Sequence, residues 1–203
     1  MNGRCVPKED HTFMPDPTEL PDRLLFLLQR QSCGALGAPA PDGEALRLIF
    51  RAALRVPDHL RLHPYKFIVA TGEGLDRLGA IMQRAAIATG KPDEVVQRAI
   101  RMPKRASMVI IVAATPRPHD LVPVFDQQLT AGCAVMAMQM AAQALGFGGI
   151  WKSGWFMYDR GLHRDLGLAD QDQIVGFLYL GTPQRELPPP PEIEDVDSYV
   201  RVL

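Results

Sequence analysis

One apolar stretch constrains this chain more than any other feature. Residues 129–145 carry no charge, and Thr130, Gln139 and Gln143 are their polar interruptions. At 1.5 Å per residue such a helix reaches roughly 26 Å, short for a membrane span. It reads instead as a helix of a soluble core, running over residues 123–145 and stopped by Gly146. An all-round apolar helix in a chain of 203 residues needs more cover than a small domain provides, which implies burial against a second subunit.

The rest of the pattern sets the fold class. Residues 22–31 read as a helix with Leu24, Leu25, Leu27 and Leu28 on its inner side. Asp42 can cap a second helix running to Arg55 through Leu46, Ile49, Phe50, Ala53 and Leu54. Residues 65–70 read as a strand ended by Gly72, and residues 73–89 as an amphipathic helix. Lys91-Pro92-Asp93 opens a further helix that ends near Arg101. Residues 109–113 are a buried strand rich in β-branched side chains, 148–152 a short strand, 158–166 a short helix and 174–180 a last buried strand. Helices come first, strands are few, and strict βαβ alternation is absent. That is an α+β pattern, a modest sheet packed against helices.

Composition then narrows the classes. Apolar residues make up 47 % and charged residues 22 %, with a net charge of -1. No broad positive field is available to hold nucleic acid, and no membrane segment is read. The three cysteines, Cys5, Cys33 and Cys133, fit no zinc or disulfide framework, so no metal is expected and a reducing cytoplasm is the simplest compartment. Cys133 lies in the apolar run and is expected to be buried. Residues 1–20 hold three prolines and many charges and form an irregular arm without the apolar core of a signal peptide. Residues 21–184 form the folded domain. Residues 185–203, with Pro188 to Pro191 in series, form an extended tail that could strap a partner subunit.

Several local motifs occur in a telling order. Arg30-Gln31-Ser32 follows the first helix. Arg55-Val56-Pro57-Asp58-His59 ends the second, and His63-Pro64-Tyr65-Lys66-Phe67 opens the first long strand. Ala131-Gly132-Cys133-Ala134 lies in the apolar helix. Gly148-Gly149-Ile150-Trp151-Lys152-Ser153-Gly154 follows it, and Gly176-Phe177-Leu178-Tyr179-Leu180-Gly181-Thr182-Pro183 comes last. Over residues 22–184 this set resembles the nitroreductase family of flavoproteins, most closely its compact YdjA type. The resemblance implies an α+β sandwich with a central antiparallel sheet flanked by helices, domain-swapped into a homodimer. It implies FMN at the dimer interface, NADH or NADPH as reductant, and alternating transfer of two electrons first to FMN and then to a nitroaromatic, quinone or similar small acceptor. Relatives within the fold run other flavin reactions, dehydrogenation and reductive dehalogenation among them. A non-catalytic flavin-binding dimer is the remaining alternative.

The resemblance also implies site residues whose chemistry fits. Arg30 and Ser32, with Gln31 between them, offer a guanidinium fork and a hydroxyl to the phosphate. Arg55 and His59 match positions that contact FMN in the YdjA type. Arg55 can offset the negative charge that builds on the ring at reduction, and His59 can donate to ring or ribityl oxygens. Trp151, Lys152, Ser153 and Gly154 match the segment beside the flavin, where a main-chain N–H from Ser153 or Gly154 would donate to N5. Arg61, His63 and Tyr65 stand where many members carry an Asn and a Gln-Pro-Trp. They are candidates for the substrate pocket, and Arg61 makes it more basic, which suits an anionic acceptor. No dinucleotide fingerprint or phosphate loop is present. No catalytic side chain is expected either, because the chemistry is borne by the flavin.

Overall fold

The computed structural model describes residues 20–190 and 195–203, so nearly all of the irregular arm lies outside the described residues. The chain divides into two compact units. Residues 32–187 form one, and the described residues before 32 together with those from 188 onward belong to the other.

In the terminal unit, α1 spans Asp22–Leu28, three residues shorter than its periodicity predicts. Leu24, Leu27 and Leu28, read as its inner side, are exposed. The Gln31 side chain donates to the Pro188 carbonyl at 2.9 Å. A short 3₁₀ turn, Val196–Tyr199, starts where the Asp195 carboxylate accepts the Asp197 N–H at 3.1 Å.

The main unit runs β1 (Leu36–Gly37), α2 (Gly43–Ala53), β2 (Tyr65–Thr71), α3 (Glu73–Ala88), α4 (Asp93–Ala99), β3 (Met108–Ala114), α5 (Val124–Ala144), β4 (Gly148–Lys152), α6 (Arg160–Asp165) and β5 (Gln173–Pro183). Every strand pair is antiparallel. β5 lies at the centre, pairing with β3, β4 and the short β1, while β2 lies outside β3. β5 is longer than the expected 174–180 because its far end pairs with the two-residue β1, too short for periodicity to reveal. The expected helix over 158–166 is a 3₁₀ turn, Trp155–Tyr158, and then α6, where Asp159 caps by accepting the Leu162 N–H at 2.7 Å. Asp42 stands at the N-cap of α2, but its side chain makes no capping hydrogen bond.

Helices cover both faces of the sheet, and the strand alternation assigns side chains to two cores. Val109, Ile111, Phe177 and Tyr179 face a core completed by α3, α4 and α6. Met108, Ile110, Val112, Leu178 and Leu180 face one completed by α2 and α5. β3 is buried at every position, which is why it reads as an unbroken apolar run rather than an alternation.

α5 covers the second core with one side through Ala134, Val135, Met138 and Ala142. Gln139, 4 % exposed, ties it to β4 by donating to the Gly149 carbonyl at 3.2 Å. Gly146, at φ 84°, ends the helix in the left-handed region that glycine adopts without steric cost. The opposite side of α5 is left bare by the described residues of the main unit. Phe125 and Leu129 are 65 % and 53 % exposed, Met136 is exposed as well, and Cys133 lies among them. The expectation of a buried Cys133 is therefore corrected. At 100° per residue, position 133 falls on the ridge of 125, 129 and 136, which points away from the sheet. Among the described residues no helix is long and apolar enough to cross a membrane.

Burial also catches His163, which the sequence reading passes over. It is 1 % exposed on α6. Its Nδ1 lies 2.6 Å from the Asp159 carbonyl, and its Nε2 accepts the Ile174 N–H at 3.2 Å, so the ring joins α6 to the start of β5. His163→Leu keeps the bulk but leaves the Ile174 N–H without an acceptor. Urea unfolding should show a loss of about 1–3 kcal/mol.

Candidate functional site

The segment joining α2 to β2 carries most of the candidate residues. α2 ends at Ala53, and Arg55 follows its last turn, where a cation sits favourably beside the helix carbonyls. Leu54, Arg55, Val56, Asp58 and Arg61 line an open cleft of about 380 Å³. His59 begins a 3₁₀ turn, His59–Arg61, and is exposed. His63 and Tyr65 belong to a second cleft of about 390 Å³, together with Lys66 and the chain around Arg117. Their side chains meet, with His63 Nδ1 3.2 Å from Tyr65 Oη. The Tyr65 phenol is held above its ordinary range, first by burial and then by the Asp58 charge. Tyr65, Phe67 and Phe50 stack in series, with ring centroids 5.2 Å and 5.7 Å apart, which fixes the start of β2 over α2.

The glycine-rich segment behaves differently. Trp151 and Lys152 are neighbours in sequence, but β4 sends them to opposite faces of the sheet. Trp151 pairs with Leu178 on the α5 side, and Lys152 pairs with Phe177 on the α3 side. Trp151 donates from Nε1 to the Val175 carbonyl at 3.2 Å. It lies over Gly176, where a Cβ would stand 2.0 Å from Nε1. Lys152 rests over the Tyr179 ring at 5.9 Å, and its pKa is lowered by burial and then by the neighbouring Arg105. Burial raises the Tyr179 phenol to about 12 against the opposing pull of Arg105. Ser153 is exposed, and Gly154 leads into the turn at Trp155.

Ser32 is exposed beside Cys33, which is buried and whose N–H donates to the Gly149 carbonyl at 2.9 Å. That bond lays the segment along β4. Arg30 and Gln31 belong to the terminal unit, and Gln31 is engaged with Pro188.

Two helix positions relate these pieces. Thr130 donates from its hydroxyl to the Pro57 carbonyl at 3.2 Å. A Cβ at Gly132 would lie 3.7 Å from Trp151 Cη2. On a helix, positions 130 and 132 fall on either side of the ridge through 129 and 133. The bare apolar stripe of α5 is thus bordered by the Arg55 loop on one flank and by Trp151 on the other. Sequence reasoning missed Asp58 as a structural centre, although it marked the Pro57-Asp58-His59 turn. It marked Gly132 within a motif and Thr130 as a polar interruption but missed what they and Arg105 do, because that depends on contacts between distant elements.

This fold and this sequence together define the class. The Nitroreductase family model matches residues 27–182, and the chain belongs to that family. YdjA of Escherichia coli (strain K12), whose name gives NAD(P)H nitroreductase as a provisional activity, is 47 % identical over 163 residues, 80 % of this chain and 89 % of that protein. The crystal structure of a nitroreductase-like family protein from Bacillus cereus superimposes with a TM-score of 0.76 at 18 % identity, covering 93 % of this chain and 99 % of that one. A nitroreductase with bound FMN from Bacteroides fragilis NCTC 9343 gives 0.70 at 18 % identity, covering 91 % and 100 %. At that identity the two structures establish the shared fold.

The seat of Trp151 can be tested directly. Gly176→Ala places a methyl where the indole lies. The ring must swing outward and lose its bond to Val175, lowering stability by about 1–3 kcal/mol. Tryptophan emission should shift to the red as the indole meets water, and an unshifted spectrum would refute the packing described here.

Proposed function

We propose that this chain is an FMN-dependent NAD(P)H oxidoreductase of the nitroreductase type, active as a homodimer in the cytoplasm. Family membership supports the class, and FMN is bound in the Bacteroides fragilis protein of the same fold. The observation that carries the reading is the bare stripe of α5 with the Arg55 loop and Trp151 along its two flanks. Apolar area of that kind is stable in water only when something covers it, and a second copy supplies the matching surface.

The donors available fit an FMN. Arg30 and Ser32 would hold the phosphate through a guanidinium fork and a hydroxyl. Arg55 would oppose the charge that accumulates on the pyrimidine side of the ring, and His59 would donate to its oxygens. The main chain at Ser153 and Gly154 would donate toward N5. Lys152 points to the other sheet face from Trp151, so its part is to add positive charge from that side. When bound, FMN supplies both acceptance and donation of hydride, so the protein's share is to bind, orient and exclude water. With no dinucleotide fingerprint in the chain, NADH or NADPH and then the acceptor would take turns at one open face lined by Arg61, His63 and Tyr65.

Three outcomes follow. Purified protein should be yellow and should bleach on anaerobic addition of NADH or NADPH. Arg55→Gln removes a charge-assisted contact and should weaken FMN binding by roughly ten- to a hundredfold, read by flavin fluorescence. Leu129→Asp puts a charge into the α5 stripe. It should give a folded monomer by light scattering that has lost its flavin, and a dimer that keeps its flavin would count against the proposed interface.

A further inference from the structure

The loop between α2 and β2 holds more backbone strain than its length requires. Leu60, Arg61 and His63 have φ of 61°, 54° and 49°. None is glycine, and in each the Cβ crowds the neighbouring carbonyl. Strain of this kind persists only where the surroundings over-determine it, and it gathers where side chains are put to use.

Asp58 supplies the determination. Its Oδ1 accepts the Leu62 N–H at 3.1 Å and its Oδ2 accepts the His63 N–H at 2.8 Å. Its own carbonyl accepts the Arg61 N–H at 3.1 Å. The same Oδ2 lies 3.5 Å from His63 Nδ1, and the Asp58 side chain is only 9 % exposed where His63 is 62 % exposed. Both carboxylate oxygens are therefore committed to main-chain donors. The cleft beside them is lined by Arg55 and Arg61, and among its described lining residues Asp58 is the one acid. With Arg55 assigned to the flavin, Arg61 is the cation left for an acceptor, and its guanidinium is a planar fork, the geometry that suits a carboxylate.

We propose that Asp58 is a positioning residue, whose carboxylate holds residues 60–63 in the strained conformation that presents Arg61 to a carboxylate-bearing acceptor. The inference rests on the flavoenzyme reading above and adds a substrate class to it. Asp58 acts through Arg61 and does not touch the reacting atoms.

The test uses the FMN-loaded protein with 4-nitrobenzoate and 4-nitrobenzamide, acceptors of one shape and different charge. NAD(P)H reduction of the bound flavin is followed separately by anaerobic stopped flow. Asp58→Asn keeps the size but leaves one oxygen for two N–H donors. It should lower kcat/KM for the benzoate by about tenfold, mainly through KM, with a several-fold smaller loss on the amide and on NAD(P)H reduction. Arg61→Gln should remove the same preference, and adding Asp58→Asn to it should cost little more. Adding Leu60→Gly to Asp58→Asn should return much of the preference, because glycine adopts the positive φ unaided. A wild type that does not favour the benzoate overturns the proposal. So does an Asp58→Asn protein with an unchanged ratio between the two acceptors, or one whose loss glycine fails to rescue. A wild type that takes up no FMN, or that NAD(P)H does not bleach, defeats the flavoenzyme reading itself and is recognisably a different failure.

Discussion

The structure depends on a helix whose apolar surface the described residues of the main unit cover on one side only. α5 lies across the sheet and closes the second core with Ala134, Val135, Met138 and Ala142, while Phe125, Leu129, Cys133 and Met136 face outward. Fully burying a side chain such as Leu or Met contributes about 1.5–3 kcal/mol, so a row of them left in water is a strong drive toward a partner. Much else is arranged around this helix. Thr130 fastens the Arg55 loop to it, Gln139 fastens β4 to it, and Trp151 packs beside Gly132. The candidate site and the bare stripe are two consequences of one packing arrangement.

The sheet supplies the second organising rule. Because β3 and β5 are buried on both faces, each strand must distribute its side chains between two cores. β4 obeys the same alternation at its exposed end, and that is what separates Trp151 from Lys152. The indole joins the α5 side, where it finds a carbonyl and a glycine. The ammonium joins the other side, where burial and Arg105 disfavour its charge. Two residues that a motif presents as a unit thus face different surroundings, so the motif carries two separate contributions.

The loop after α2 shows strain and order in one place. Three residues stand in the left-handed region, and a single nearly buried carboxylate accounts for their being there. The stacked rings of Tyr65, Phe67 and Phe50 anchor the far end of the loop, so its ends are rigid while its middle is held by Asp58. This order leaves the backbone at Arg61 and His63 in a defined conformation.

Much of this was legible in the residues themselves. Helical spacing located α2, α3 and α5 to within a residue or two, and short apolar runs located β3 and most of β5, because local patterning reports which faces avoid water. The ordered motifs identified the family, since each depends on residue type at short range. Pairing and facing are decided by contacts between segments distant in the chain, and short-range patterns do not encode these. A two-residue strand at β1, the bare side of α5 that exposes Cys133, the parting of Trp151 from Lys152 and the bracing of the loop by Asp58 all arise in that way. The sequence by itself determined which elements form and what chemistry they carry. Only the tertiary structure decided which of those groups face one another, because burial and hydrogen-bond geometry are properties of the assembled layers.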